Sequence, residues 1–283
     1  MVESTVRIGG AICFWTCGEL TVLQRLKDGL EDLGLGKFAP EPRTAPAALK
    51  DALESLYTLP TQLVRPLKSK DGFTVVEEGR GVDVNSYATV ATAKIDKSRQ
   101  ISLTPYDYAK AQELAGRFNE QLGLLRPSQV TAALVAILDS LGATRLRPSG
   151  AVYWLPAHRL DDWRAVCGVV EGAGKDKPNN VYVLQNVFDD EAVRAVRDAI
   201  TAEVMTTAAR LNAEIRSGDL GERALENRRA EAEELRRKIN LYEDLLSLGL
   251  EQLHLAVDHA ESAAAVAALQ LAVAPGLANE NVA

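Results

Sequence analysis

The chain is short of the residues from which most small active sites are built: its 283 residues include three cysteines, three histidines and two methionines, and only 5% are aromatic. Three cysteines, Cys13, Cys17 and the distant Cys167, cannot supply a disulfide framework. That scarcity favours a reducing compartment, so a cytoplasmic location is expected. A structural zinc site needs four Cys or His ligands, and neither the spacing of the cysteines nor the placing of the histidines supplies them. Basic residues are outnumbered, 32 Lys and Arg against 39 Asp and Glu, for a net charge of −7. Affinity for a phosphate backbone comes from Lys and Arg displacing counterions, so only a locally basic face would bind nucleic acid. Long apolar runs are missing too. Ala263 to Ala274 is Ala-rich, interrupted by Gln270, and well short of the roughly 20 residues that span a bilayer; it reads as a packed helix end. Met1 to Ser4 lacks the basic start of an export signal.

What is present reads as an α+β protein. Val6 to Phe14 is β-branched and aromatic with a glycine bend, and predicts a strand. From Glu19, Leu20, Leu23, Leu26 and Leu30 recur at helical spacing until Gly34 and Gly36; after a loop with Pro40, Pro42 and Pro46, Ala47 to Leu56 repeats the pattern. The period then falls to two in Leu63 to Leu67, Phe73 to Glu78, Tyr87 to Ile95 and Gln100 to Leu103. The turn clusters between them are Lys70-Asp71-Gly72, Glu78-Gly79-Arg80-Gly81 and Asp96-Lys97-Ser98. This predicts an antiparallel sheet, joined by the first strand and covered by the two early helices. Residues 1–104 are accordingly read as a small α+β unit.

Residues 105–188 are read as a helix, hairpin, helix and strand region packed on it. Helices are expected over Pro105 to Gln121 and Pro127 to Leu141, then a hairpin of Thr144 to Arg147 with Ala151 to Leu155 about Pro148-Ser149-Gly150, a helix from His158 to Val170, and a strand from Val181 to Val187. Beyond Asp189 the pattern is helical. Helices 190–217 and 222–272 are expected to form a long coiled-coil-like hairpin within 189–274, and 275–283 a frayed tail. At 1.5 Å per residue the arms would be about 42 and 76 Å long. The excess of the second arm would pack on the globular part, on another subunit or on a partner. Its heptad-like seam, Leu235, Ile239, Tyr242, Leu246 and Leu253, is the expected surface for oligomerisation or docking.

Catalytic motifs are not found, and no cofactor is implied. Gly36-Lys37 and Gly174-Lys175 are followed by Phe38 and Asp176 in place of the hydroxyl that a phosphate loop needs. Glu251 and His254 make one i, i+3 pair, with Asp258 and His259 nearby, but a di-iron bundle needs two such pairs and two more carboxylates. The set is read as a solvated helix face, and Cys13 and Cys17 as sheet or core residues. The most distinctive stretch is Arg145 to Pro156. Arg145 and Arg147 share one face, and Tyr153 and Trp154 lie across the turn, as in the wing of a winged helix. With Arg229 and Arg236, seven apart, they make the nucleic-acid alternative, against which stands the apolar helix Val130 to Leu138. A third reading is an enzyme with a pocket in the α+β body, for which only Cys13, Cys17 and His158 can be named.

This stretch, together with Trp15, the short Leu-rich helix and Leu63-Val64-Arg65-Pro66-Leu67 followed by Asp71-Gly72-Phe73, resembles an uncharacterised group of bacterial and phage proteins over roughly residues 10–190. The resemblance implies a shared α+β body, a phage or mobile-element context and no established activity, and it carries over no functional residue. The function expected from the whole is a non-enzymatic adaptor or scaffold.

Overall fold

The structure, a computed structural model, describes residues 8–80, 85–147, 150–187, 189–217 and 220–273. Val6, Gly81, Pro148-Ser149, Phe188, Gly218-Asp219 and the tail from 274 lie outside the described residues. The elements in order are β1 (Ile8–Thr16), β2 (Thr21–Val22), α1 (Leu23–Asp32), α2 (Ala45–Leu56), β3 (Gln62–Pro66), β4 (Gly72–Arg80), β5 (Asn85–Ile95), β6 (Ile101–Thr104), α3 (Tyr108–Leu122), β7 (Leu124–Leu125), α4 (Pro127–Ser140), β8 (Thr144–Arg145), β9 (Val152–Pro156), α5 (Leu160–Gly172), β10 (Asn180–Val187), α6 (Asp190–Arg216), α7 (Glu222–Leu246) and α8 (Glu251–Val273). The fold class is α+β. Two compact units divide the chain, one formed by residues up to 15, 137–164 and 181 onward, the other by 16–136 and 165–180.

In the second unit β3, β4, β5 and β6 form an antiparallel meander. Its alternation places Phe73 and Val75 on β4 opposite Ala93 and Ala91 on β5, and Ala93 opposite Leu103 on β6, all on one face. Leu49 and Leu53 from α2, with Leu114 and Phe118 from α3, close the core over that face. The cover therefore comes from α2 and α3, where the sequence pointed to the two early helices. Thr44 and Asp107 cap these helices by accepting from the backbone N–H groups of Ala47 and Lys110 at 3.4 and 3.1 Å. Two short strands escaped the pattern: β2 pairs with β7, Thr21 opposite Leu125, in a ladder too brief to show a period. Beside it Asn179 is buried, accepting from Gly18 N–H at 2.9 Å and donating to the Val170 carbonyl at 2.8 Å.

The first unit holds a second sheet in the order β10-β1-β9-β8. This corrects the expectation that the first strand joins the meander. β1 pairs antiparallel with β9, from Gly10 opposite Pro156 to Phe14 opposite Val152. Ala11 and Cys13 have no exposed surface, and the backbone donors and acceptors of a strand so buried need partners on both edges, which β9 and β10 provide across a long sequence separation. Aromatic rings flank this sheet. Trp15 stacks on Tyr153 at 5.8 Å between centroids and meets Trp163 at 6.4 Å, while Trp154 meets Tyr242 of α7 at 5.6 Å.

α6, α7 and α8 form a three-helix bundle whose core includes Trp154, Val196, Ile200, Val204, Leu211, Ile239, Tyr242 and Val257. The expected helix 222–272 is in fact two helices. α7 stops at Ser247, which adopts a left-handed conformation with φ 53°. The Glu243 carboxylate then receives the Leu250 N–H at 2.7 Å and lies 3.0 Å from His254 Nε2, pinning the start of α8. Those two contacts hold the Glu243 carboxyl below its ordinary range, the His254 contact contributing most.

Gly10 is where the aromatic sheet is tightest: a Cβ there would meet the Leu155 carbonyl and lie 2.6 Å from the Trp154 ring. Gly10→Ala is therefore expected to cost about 1–3 kcal/mol, the usual penalty for overpacking, read from the urea midpoint of the full chain.

Candidate functional site

The five residues expected to receive a partner, Leu235, Ile239, Tyr242, Leu246 and Leu253, are between 0 and 7% exposed. All five belong to the bundle core, where α6 and the folded-back α8 occupy the place that a partner was expected to fill. The seam is apolar, as its spacing predicts, but it is covered from within the chain, because the reversal at Ser247 brings α8 back onto it. Polar contacts lock the arrangement. Lys238 on α7 donates to the Ala143 carbonyl at 2.6 Å and pairs with Glu203 on α6, whose other oxygen receives the Thr144 hydroxyl at 2.7 Å. Tyr242 donates to the Gly142 carbonyl at 3.0 Å. Burial pushes the Tyr242 hydroxyl well above its ordinary range, so it stays a neutral donor.

The residues of the nucleic-acid reading are dispersed. Tyr153 is 1% exposed and receives Nε and Nη2 of Arg145 at 3.0 and 2.7 Å; Trp154 has no exposed surface. Neither ring has a free face on which a base could stack. Arg236 is engaged by Asp258 and Glu261 of α8, each at 2.6 Å, and those carboxylates hold its guanidinium pKa above the ordinary value. Arg147 lies over Gly150, and Arg229 alone of the set points to an open helix surface. β8 and β9 are continuous with β1 and β10 in one sheet, which is not the free terminal hairpin of a wing.

No group of three or more His, Cys, Asp or Glu side chains is placed to hold a metal ion among the described residues. Cys13 and Cys167 are buried, and Cys17 is half-buried beside the Thr131 hydroxyl at 3.8 Å. Burial pushes the Cys17 thiol up, the Thr131 contact opposing it. A thiol raised in this way is a poor nucleophile. His158 lies in a short 3-10 turn, Ala157–Arg159, just before α5.

The surface that does stand out is on α8. Its inner face is closed, with Leu253, Val257, Ala260 and Ala264 at most 2% exposed. Its outer face carries Leu255, Val266 and Leu269 at 57, 55 and 67% exposure, and the exposed His259 and Ser262 complete a row at spacings of four, three, four and three. From Ser262 to residue 273 there is no charged side chain. Solvated helix faces ordinarily carry charge, and a contiguous exposed apolar row marks a binding surface. The lack of charge was legible beforehand, but periodicity alone could not show which side of an Ala-rich helix is covered. Ala264 is packed as expected, whereas Val266, Leu269 and Leu271 are not. No helix among the described residues is long and apolar enough to cross a membrane.

The chain belongs to the family of unknown function DUF6744, whose model matches residues 9–275. That match carries the resemblance noted over residues 10–190 through the helical bundle. No curated protein and no solved structure matches the chain.

Two measurements follow from these placements. Ile239→Ala is expected to cost about 2–5 kcal/mol of stability, as large-to-small core changes do, with no change in oligomeric state by light scattering. Maleimide labelling of the native chain is expected to be slower at all three cysteines than for a free thiol, with Cys17 the fastest of them; a thiol reacting faster than free cysteine would reinstate the nucleophile reading.

Proposed function

We propose that this DUF6744 chain is a non-enzymatic scaffold that self-associates through the outer face of α8. The observation that carries the reading is the uncharged exposed row Leu255, His259, Ser262, Val266 and Leu269. Three features favour a second copy as its occupant. The two ends of the row are symmetric about Ser262, since Leu255 lies seven residues before it and Leu269 seven after, so an antiparallel two-fold pairing sets each Leu255 against the other Leu269. A small residue at the axis lets two helices approach closely. The absence of charge between 262 and 273 also spares the interface the repulsion that two copies of net charge −7 exert elsewhere.

The magnitudes are consistent with a weak dimer. Burying a Val or Leu side chain is worth about 1.5–3 kcal/mol. Six such chains compete with an association cost of about 4–15 kcal/mol, which leaves a concentration-dependent equilibrium. The pairing proposed here uses the helices expected to mediate self-association, on a different face. The adaptor role follows from it, because a two-fold pair presents two α+β units from one assembly.

Sedimentation equilibrium on the full chain tests the reading. The expected result is a reversible monomer–dimer equilibrium that is lost in Leu269→Glu and in Val266→Glu, both exposed positions at which circular dichroism should stay native. A chain that remains monomeric at every concentration, or a dimer indifferent to both substitutions, would overturn it.

A further inference from the structure

In the second unit α2 and α4 begin beside one another. Arg43 immediately precedes the cap residue of α2, and Arg126 immediately precedes Pro127, the first residue of α4. Between the two helix starts lies an open groove of about 640 Å³, walled by Phe38, Pro42, Ala47, Ala132 and Ala136. Its charged lining is Lys37, Arg43 and Arg126, against the single acid Glu41, whose backbone carbonyl receives Gln129 Nε2 at 3.0 Å. Each helix start adds partial positive charge.

Arg43 is the unusual member. It is 7% exposed over the whole residue and 3% over the side chain. Its Nη1 donates to the Asp51 carboxylate and to Gln121 Oε1 at 2.7 Å. Its Nε and Nη2 are buried with no hydrogen-bond partner among the described residues. Those two nitrogens form the edge of a guanidinium that grips a carboxylate or phosphate through two parallel hydrogen bonds. Elsewhere in this chain the same edge is filled: Arg117 lays it on Glu113, Arg126 on Asp51 and Arg236 on Glu261. Among the described residues both Arg43 and Arg126 pair with the one carboxylate of Asp51, so the pair of guanidiniums keeps an excess of positive charge. A buried charge with unfilled donors is costly, and such a group in a folded protein calls for a use. Burial draws the Arg43 pKa below its ordinary value, with Asp51 opposing the effect and Arg126 reinforcing it.

We propose that this groove binds a small molecule bearing an oxyanion, carboxylate or phosphate, on an apolar body, the oxyanion taking the Nε–Nη2 edge of Arg43 and the body lying along Phe38 and the alanines of α4. Arg126 and Lys37 attract the charge from the rim, where Lys37 sits 4.8 Å from the Phe38 ring centroid. The Arg43 edge is covered from solvent, so the ligand reaches it by parting the groove lining.

Titration calorimetry of the full chain with phenyl phosphate, phenylacetate and inorganic phosphate tests this. Saturable binding of one or both phenyl compounds, tighter than inorganic phosphate, is expected, and their order tells whether the site takes phosphate or carboxylate. Arg43→Lys keeps the charge and removes the fork, and should weaken the better probe about tenfold or more, equivalent to about 1.4 kcal/mol. Should Arg43→Lys fail to fold, Arg126→Gln decides the matter: its side chain is 50% exposed, and the expected result is a severalfold loss of affinity in a chain of native stability. Absence of saturable binding by all three probes, a folded Arg43→Lys chain that binds as tightly as the original, or an unchanged affinity in Arg126→Gln would overturn the proposal.

Discussion

The reversal between α7 and α8 decides what the C-terminal third of the chain hides and what it shows. Ser247 takes a left-handed conformation, at a cost for a residue with a Cβ, and Glu243 offsets that cost by receiving the Leu250 N–H and approaching His254. With the chain turned back there, Leu253, Val257, Ala260 and Ala264 complete a core that α6 and α7 alone would leave open. The same rotation carries Leu255, Val266 and Leu269 outward. A continuous helix would have distributed those two faces quite differently, so the buried seam and the exposed row are products of one four-residue corner.

The bundle is fastened to its sheet by few contacts with distinct roles. Trp154 supplies apolar area against Tyr242, and Tyr242 spends its hydroxyl on the Gly142 carbonyl. Lys238 and Glu203 form an ion pair that also satisfies Ala143 and Thr144, so neither charge is buried without hydrogen bonds. Arg236 with Asp258 and Glu261 performs the corresponding task between α7 and α8. Arg236, one of the arginines that the sequence offers as phosphate ligands, is thus committed to internal carboxylates.

Local periodicity was enough for the elements whose faces are chemically unlike. β3 to β6 and α2 appear within a few residues of where alternation and Leu spacing placed them, and α6 begins where Asp189 marked a cap. Three features were illegible for physical reasons. The partner of β1 lies more than a hundred residues away, and nothing in Ile8 to Phe14 specifies β9 over β3. Ser247-Leu248-Gly249 interrupts a run that keeps its apolar spacing on both sides, so the seam reads through the corner; Gly249 and the acidic Glu251 were the only marks of a new helix start. The Arg43 fork depends on which carboxylates reach it in space. In the sequence Arg43 is one basic residue in a proline-rich loop.

The placement of β1 bears on how the chain folds as it leaves the ribosome. The meander with α2 and α3 is assembled from a contiguous stretch and joins neighbours in sequence, so its contacts are local and quickly made. β1 emerges before all of it, yet its ladder partners are residues 152–156 and β10 beyond them. Throughout synthesis of the intervening chain this strand waits with unfilled backbone donors and an apolar face, a template for misplaced pairing. The sheet that carries Trp154 therefore closes only after β9 and β10 have been made, although β1, an inner strand of it, is the first of its four strands to emerge.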